Sequence, residues 1–323
     1  MKTQKVKTVK PQTLNKSWFT RLLQDMGRDA LLYILLIPFL AYYIIFIYKP
    51  IGGLAIAFQD YSTFKGIGGS EWVGFKHFIS FFQGPYFMRT LRNTLLINFY
   101  GLLFSFPAPI LLAILLNEVR QQKLKKTIQT MTYLPYFIST VVVVGIVTNL
   151  LSPGHGLITA ISEMICGERI YFLTKPEYFR TIYTIMTIWQ GIGYNSVIYI
   201  AALAGVDQEL YEAAVIDGAG KMRQIWHITL PGILPTIMIM LILRIGSFMS
   251  VSTDSILLLY QPSTYETADV IGTYVYRTGI ATDGGKANYS LSTAVGLFNS
   301  VVGLILVMGA NYVSKKTTEE GIW

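Results

Sequence analysis

The sequence contains few charged residues, a single cysteine and no phosphate-binding loop. Only 14% of its 323 residues are charged, whereas soluble domains carry roughly 25%. Cys166 has no second cysteine with which to form an intrachain disulfide, and the three histidines are too scattered to have metal-ligand spacing. The pattern G-x-x-x-x-G-K-S/T is also missing, so we expect this chain to bind no cofactor and to hydrolyse no ATP. These absences argue against a soluble enzyme or a metalloprotein.

Hydrophobic residues, by contrast, make up 52% of the chain, and the mean hydropathy is +0.47. They form six segments, each long enough to cross a bilayer, since about 20 apolar residues suffice. The predicted spans are residues 30–48, 94–116, 128–150, 182–203, 232–259 and 291–312. The first is too long for the apolar core of a secretory signal, so we expect it to be retained. The sequence therefore predicts an all-α integral membrane protein with six transmembrane helices in a single domain, residues 30–312.

The distribution of basic residues predicts how this domain is oriented. Six spans place the tails 1–29 and 313–323 and the loop 204–231 on one side of the membrane. That side carries 15 of the lysines and arginines outside the spans, and the other side carries 10 over a longer stretch of chain. Because positive loops stay inside, we expect both tails and the loop to be cytoplasmic in a bacterial cytoplasmic membrane. The net charge of +8 is explained by this orientation better than by nucleic-acid binding.

The loop 204–231 separates two strongly apolar segments and contains helix signals of its own. Asp207 and Glu209 favour a short helix that begins nearby, because acidic side chains stabilise the positive end of a helix dipole. Gly218 permits a sharp turn, and residues 221–229 are expected to form a second short helix. Pro231 either stops that helix or occupies the first turn of the next one.

Two charged residues lie within the fifth predicted span, Arg244 and Asp254. Ten residues correspond to a rise of about 15 Å, so the two side chains cannot pair on one straight helix. Charges at membrane depth usually face a cavity or a partner, which makes Arg244 a candidate pathway residue; a structural ion pair between spans is the alternative. Further candidates for contact with a polar solute are Trp189, Gln190, Tyr194, Asn195 and Ser247. Trp189 and Tyr194 can stack on sugar rings, although aromatic residues in spans more often serve packing.

Two other features have a structural explanation as well as a functional one. Residues 49–92 are too polar to span and too aromatic for a loose linker, and since Trp and Tyr prefer the membrane interface we expect an ordered outer cap against the bilayer. Pro107 and Pro109 interrupt the second span. They free backbone carbonyls, and they either kink the helix for packing or contribute to the pathway.

The loop also carries a motif with fixed spacing: Glu212-Ala213-Ala214, three residues, Gly218, nine residues, Ile228, one residue, then Leu230-Pro231. It resembles the cytoplasmic coupling (EAA) loop in the membrane subunits of binding-protein-dependent ABC importers. The resemblance implies a type I ABC importer permease fold and a loop that docks in a cleft on a separate ATPase subunit. The residues it assigns to ATPase coupling are Glu212, Ala213, Ala214, Asp217, Gly218, Ile228, Leu230 and Pro231. Replacing Gly218 by Asp is expected to uncouple transport while the protein still inserts.

Several outer stretches are similar to one branch of the carbohydrate-importer permeases, the polysaccharide and oligosaccharide (LplB-type) branch. They are residues 57–61, 72–78, 258–260, 264–270 and 273–277, and residues 117–119, 129–130 and 133–135 look like the junction between the second and third spans of carbohydrate-importer permeases more generally. The sequence Val251-Ser252-Thr253-Asp254-Ser255 departs from the branch. It keeps the acidic residue but changes its surroundings, so the sugar is left open, whether acidic or neutral.

The resemblance further implies a complex of this chain with a second permease, two ATPase subunits that bind ATP and Mg²⁺, and an extracellular solute-binding protein. An oligosaccharide or polysaccharide fragment would cross by alternating access. A rival hypothesis is an ATP-independent secondary transporter or channel that uses Arg244 and Asp254. No inverted repeat with matching broken helices is evident between the two halves of the sequence, which weighs against the rival.

Overall fold

The computed structural model describes residues 29–281 and 286–318, without the side chains of residues 317 and 318. The chain divides into two compact units, Met1–Ala55 and Ile56–Trp323. The predicted basic tail falls outside the described residues except for Asp29, as do residues 319–323 of the predicted C-terminal tail.

Helices form most of the described chain, which confirms the predicted all-α class. The main helices are α1 (Ala30–Phe58), α2 (Lys76–Phe82), α3 (Phe87–Glu118), α4 (Gln122–Phe137), α5 (Thr140–Leu150), α6 (Leu157–Cys166), α7 (Pro176–Ala204), α8 (Gln208–Ile216), α9 (Lys221–Gly246), α10 (Thr253–Leu259), α11 (Ile271–Gly279) and α12 (Tyr289–Thr318). Short helical turns lie at Gly66–Gly69, Phe172–Thr174, Pro262–Thr264 and Tyr265–Ala268. The last helix runs to Thr318, beyond the predicted end of the sixth span at residue 312.

By length and composition, the described residues contain four or five candidate membrane spans, fewer than the six predicted. Within the described residues four helices are long and apolar enough to span, namely α1, α3, α9 and α12. The bent pair of α4 and α5, which meet at 102°, makes a fifth if it is counted as one broken span. The helix α7 has 29 residues and is therefore about 43 Å long, but polar residues such as Gln190 and Asn195 lower its hydropathy.

Prolines in α3 and α9 are accommodated by wider turns of helix. The π-helical turn Gly101–Ser105 lies just before Pro107, and Ile225–Thr229 lies just before Pro231. A proline ring clashes with the carbonyl one turn earlier, and a π-helical turn displaces that carbonyl. Of the two expectations for Pro231, a stop to the preceding helix is wrong, because residues 221–246 form one continuous helix. The other is confirmed, because Pro231 lies in the first turn of the α-helical segment Leu230–Gly246.

The fifth predicted span, residues 232–259, is also wrong as a single straight helix. The helix α9 ends at Gly246, and α10 begins only at Thr253. A serine-rich stretch, residues 247–252, lies between them, and its first hydroxyl donates to the carbonyl of Arg244 at 3.0 Å. Serine side chains compete with backbone hydrogen bonds in this way and favour helix ends. Arg244 and Asp254 consequently belong to different helices.

The bend between α4 and α5 is fixed by close packing against α7. Pro135 lies in the 3₁₀ turn Leu134–Phe137 that ends α4. A Cβ atom on Gly193 of α7 would overlap the carbonyl of Thr132. Glycine is therefore required where the two backbones meet.

The polar segment before α3 forms a small hairpin. Its strands β1 (Gln59–Asp60) and β2 (Glu71–Trp72) are antiparallel, with Gln59 opposite Trp72 and Asp60 opposite Glu71. The ring of His77 in α2 lies 3.1 Å from the carbonyl of Gln59, and the Gln59 amide donates to the carbonyl of Ile67 at 3.0 Å. Contact of this hairpin with the bilayer stays a prediction.

Candidate substrate pathway and coupling surface

A polar cavity of about 470 Å³ lies between α3, α7, the end of α9 and the serine-rich stretch. Its polar and ionisable lining residues are Asn98, Ser105, Tyr183, Thr184, Thr187, Asn195, Tyr199, Arg244, Ser247, Ser250 and Ser252. Sites for small ligands usually measure about 300–1,000 Å³. Hydroxyl and amide groups can both donate and accept hydrogen bonds, so the cavity is suited to a solute rich in hydroxyl groups.

Arg244 supplies the cation of this cavity. Its Nη2 atom lies 2.5 Å from where a Cβ atom on Gly101 would stand, so the absence of a side chain at Gly101 makes room for the guanidinium. None of the ion pairs among the described residues includes Arg244. The alternative of a structural ion pair between spans therefore has no support in that part of the chain.

The other predicted pathway residues separate into two groups. Asn195 and Ser247 line the cavity with Arg244. Gln190 instead donates to the carbonyl of Ile138 at 3.3 Å, and Tyr194 stacks on Tyr136 with ring centroids 3.9 Å apart.

Trp189 and Asp254 also lie away from the polar cavity. Trp189 lines a separate apolar groove between α5, α6 and α7. Asp254 is exposed in the first turn of α10 and does not line the cavity. Their roles in transport stay predictions.

Sequence reasoning missed most of the residues that line the cavity. On α7 these are Tyr183, Thr184, Thr187 and Tyr199, which lie at helical spacing from Asn195 and form a polar stripe that periodicity can reveal. On α3, Ser105 also lines the cavity, and its buried hydroxyl oxygen has no hydrogen-bond partner among the described atoms. A buried hydroxyl without a partner is costly, and a polar solute or water can satisfy it.

At the other end of α7, the predicted coupling loop folds as a short helix and a tight turn. The side chain of Asp207 accepts a hydrogen bond from the backbone N–H of Glu209 at 3.0 Å and caps α8. Gly218 has a φ of 73°, in the left-handed region that glycine adopts most readily. The sequence interpretation of an acidic helix start followed by a glycine turn agrees with this geometry.

The eight motif residues divide into an exposed set and an inward set. The exposed residues are Glu212, Ala213, Asp217, Gly218 and Pro231. Ala214, Ile228 and Leu230 are half-buried, and the last two pack against the apolar cluster of Ile110, Tyr199 and Ile233. Beside the exposed set, Val215 and Ile216 are also exposed, Ile216 by 85%. An exposed apolar patch with a polar rim is typical of a protein interface.

Direct contacts join this loop to the helices that line the cavity. Lys221 forms an ion pair with Glu118 at the end of α3, with Nζ and Oε2 2.9 Å apart. Tyr211 in α8 lies within hydrogen-bond distance, 3.0 Å, of the Thr229 hydroxyl in α9. Tyr199 belongs both to the apolar cluster above the loop and to the cavity lining. Packed side chains therefore connect the loop to the cavity.

A buried ionic network occupies the end of the bundle opposite the loop. Asp269 is fully buried. Its carboxylate accepts two hydrogen bonds from Arg277 at 2.7 and 2.9 Å, one from Arg89 at 2.6 Å and one from the Thr273 hydroxyl at 2.8 Å. Burial acts to lower the pKa of Arg277, but its bonds to Asp269 outweigh burial and raise that pKa above its ordinary value. The network therefore joins α3 and α11 through paired charges.

Comparison with known proteins gives consistent matches. Residues 105–319 match the family described as binding-protein-dependent transport system inner membrane component. Protein LplB of Bacillus subtilis (strain 168) is 48% identical over 307 residues, which are 95% of this chain and 94% of LplB. The polygalacturonan/rhamnogalacturonan transport system permease protein YteP of the same organism is 46% identical, over 94% of this chain and 93% of YteP.

Solved structures give the same picture. A chain in the crystal structure of a bacterial ABC transporter that imports the acidic polysaccharide alginate superposes with a TM-score of 0.85 at 45% identity, covering 92% of this chain and 99% of that one. A second structure of a bacterial alginate ABC transporter, in complex with an alginate pentasaccharide-bound periplasmic protein, also gives a TM-score of 0.85.

Proposed function

The chain belongs to the family of binding-protein-dependent transport system inner membrane components, and from this premise we propose that it passes an anionic oligosaccharide through its polar cavity. It is the transport subunit of an ABC importer. The sugar would be delivered by an extracellular solute-binding protein, and the energy would come from ATP and Mg²⁺ on a pair of separate ATPase subunits. A second, similar permease would complete the pathway in the cytoplasmic membrane.

The observation that carries the proposal is the unpaired Arg244 in a cavity of hydroxyl and amide groups. A guanidinium binds a carboxylate in a planar, two-pronged geometry. The serine, threonine and asparagine side chains around it can hydrogen-bond the sugar hydroxyls. The relatives support the acidic character, since a similar chain belongs to a transporter of the acidic polysaccharide alginate.

Coupling to ATP would proceed through the exposed surface of α8 and the turn at Gly218. ATP binding would close the two ATPase subunits and move this surface, with Glu212 and Asp217 as its polar contacts. The motion would pass to α3 through the ion pair of Lys221 and Glu118, and to α7 through the cluster that contains Tyr199. Both termini would be cytoplasmic.

The ATP-independent transporter is the weaker hypothesis. It uses Arg244 and Asp254 as coupled charges, but they lie on different helices and only Arg244 lines the cavity. Family membership also favours the importer.

Purification in mild detergent from the native host tests the class of transporter. We expect the tagged chain to co-purify with a second permease and with an ATPase that carries a phosphate-binding loop. A chain that purifies alone, with uptake unaffected by ATP depletion, would overturn the importer.

Transport by the purified complex in liposomes tests the substrate class. We expect uptake of a uronate pentasaccharide, and Arg244→Gln is expected to raise its KM by about tenfold or more, in line with the loss of a charge-assisted hydrogen bond. Arg169→Gln removes the same charge from an exposed pair with Glu163 and is expected to leave KM unchanged. Preference of the wild type for a neutral pentasaccharide would reject the anionic substrate.

A further inference from the structure

Four arginines lie near the end of the bundle that is opposite the coupling loop, and they differ in how their charges are compensated. Arg89 and Arg277 both bind the carboxylate of Asp269. Arg92 and Arg180 form no ion pair with the described residues. Arg89 and Arg277 are therefore structural cations, whereas the positive charges of Arg92 and Arg180 are available to a ligand.

Arg180 lies directly beyond the polar cavity on α7. The Thr184 hydroxyl, one turn further along the helix, lines the cavity and donates to the carbonyl of Arg180 at 2.7 Å. Asn93 is placed on α3 as Arg180 is on α7: it lies one turn before Ile97, and Ile97 lines the cavity. Arg180 donates from Nη2 to the amide oxygen of Asn93 at 3.0 Å. This bond therefore bridges α3 and α7 just outside the cavity, at the end away from the coupling loop.

The surroundings of Arg180 compensate its charge poorly. Its hydrogen-bond partner Asn93 is neutral, and its Nε–H is buried without a partner among the described atoms. The positive charge of Arg92 opposes that of Arg180, while Tyr100 and the exposed Glu266 act in the favourable direction from beyond ion-pair distance. Among the residues that the structure describes, Arg92 donates to a single backbone carbonyl, that of Glu266, at 3.2 Å. Two cations near enough to repel each other, one of which has a buried N–H without a partner among the described atoms, favour an anionic ligand.

We propose that Arg180, with Arg92 beside it, forms an outer subsite that receives a carboxylate of the oligosaccharide before the sugar reaches Arg244. This inference rests on the proposed function, since it assumes an anionic sugar. A carboxylate is a stronger acceptor for a guanidinium than an amide oxygen is. The incoming carboxylate would replace Asn93 as the partner of Arg180 and relieve the repulsion between the two arginines. The same exchange would release the bond that joins α3 to α7 just outside the cavity.

The test uses the complete complex in liposomes made of zwitterionic lipid, with a uronate pentasaccharide as the probe. Arg180→Gln keeps a side chain that can bond to Asn93 but removes the charge, and Arg180→Lys keeps the charge but loses the planar fork. Lys175→Gln is the matched control, because Lys175 is an exposed cation at the start of the same helix. Maximal uptake rate, KM and the dependence of KM on salt are measured for each variant.

For Arg180→Gln we expect KM to rise by about tenfold with a maximal rate within about twofold of wild type. Salt should raise KM of the wild type steeply and that of Arg180→Gln less, because salt screens exposed charges. Arg180→Lys should retain the salt dependence with an intermediate KM, and Lys175→Gln should match wild type. A merely structural role of Arg180 would alter the maximal rate and stability without changing the salt dependence.

The outcomes separate this inference from the proposed function. If the wild type imports the uronate pentasaccharide but Arg180→Gln has wild-type KM and salt dependence, the outer subsite is wrong and the proposed function stands. If the wild type prefers a neutral pentasaccharide, the proposed substrate class is wrong, and the outer subsite, which assumes an anionic sugar, is wrong with it. If wild type and Arg180→Gln behave alike in zwitterionic liposomes and differ only when anionic lipid is added to the liposomes, the arginine binds lipid headgroups and the subsite is overturned.

Discussion

Individual arginines of this protein show how the same side chain is used for different purposes. Arg277 and Arg89 share the buried Asp269 and hold two helices together. Arg244 faces a polar cavity and has no acidic partner among the described residues. Arg89 and Arg277 have a carboxylate within reach, and Arg244 does not. A buried charge is stable only when it is paired or hydrogen-bonded, so the first two arginines serve structure and Arg244 is left available to a polar solute.

Replacing Asp269 by Asn is expected to destabilise the protein strongly. The substitution leaves Arg89 and Arg277 without their carboxylate, and breaking a buried pair in this way costs about 3–5 kcal/mol. Asp60→Asn is the matched control, because Asp60 pairs with Lys76 on the surface, where a pair contributes about 0–1 kcal/mol. Thermal unfolding of the purified protein in detergent measures both, and equal changes in Tm would contradict the structural role of Asp269.

At the scale of elements, the helices at the coupling loop depend on local backbone geometry. The π-helical turn before Pro231 lets α9 continue from the loop into the membrane without a break. The turn at Gly218 separates α8 from α9 and keeps the exposed face of α8 accessible. Rigid continuity on one side and a tight turn on the other suit the proposed transmission of movement from an ATPase subunit.

Two glycines of the loop allow a test of the turn. A Cβ atom at Gly218 or at Gly220 would meet nothing within 4 Å, but only Gly218 has a positive φ. Gly218→Ala is therefore expected to cost about 1–2 kcal/mol in backbone strain and to lower ATP-driven uptake several-fold. Gly220→Ala adds the same atom without that strain and should retain most of the uptake.

Uptake and ATP hydrolysis by the reconstituted complex are measured together for both glycine variants. Reduced uptake with ATP hydrolysis retained would indicate uncoupling at the turn. Equal behaviour of the two variants would show that the left-handed conformation of Gly218 has no part in coupling.

At the scale of the whole molecule, the cavity lies between the coupling loop and the buried network of Asp269. Both ends of α3 are tied down, by Glu118 to Lys221 and by Arg89 to Asp269. The loop lies at one end of α7, and Arg180 lies near the other. Such an arrangement is consistent with the proposal that one end responds to an ATPase while the opposite end responds to the substrate.

The single native cysteine offers a test of orientation. Cys166 is exposed at the end of α6, which lies between α5 and α7 in the sequence. It therefore precedes the start of α7, the end of that helix that is opposite the coupling loop. With both termini cytoplasmic, a membrane-impermeant maleimide should label Cys166 in intact cells. In a Cys166→Ser background, Lys123→Cys should be labelled only in inverted vesicles, because Lys123 is exposed on the side of the loop. The reverse labelling pattern would reject the proposed orientation.

The cavity could be anticipated from the sequence only in part. Arg244 stood out because a charge at membrane depth is rare and expensive. The lining residues Thr184, Thr187 and Ser105 are ordinary in composition, and their importance depends on which helix faces they occupy. Tyr194 and Gln190 looked equally suitable in the sequence, but the face of α7 that they share packs against the bend between α4 and α5.

The sequence by itself determined the membrane character, the helical class and the coupling motif, because these follow from composition and from spacing along the chain. Only the tertiary structure decided that Arg244 has room beside Gly101, and that Asp269 binds Arg89 from a distant part of the chain as well as its near neighbour Arg277. These features depend on contacts between residues far apart in sequence. No local pattern encodes such contacts, since each arises only when helices pack at particular faces and depths.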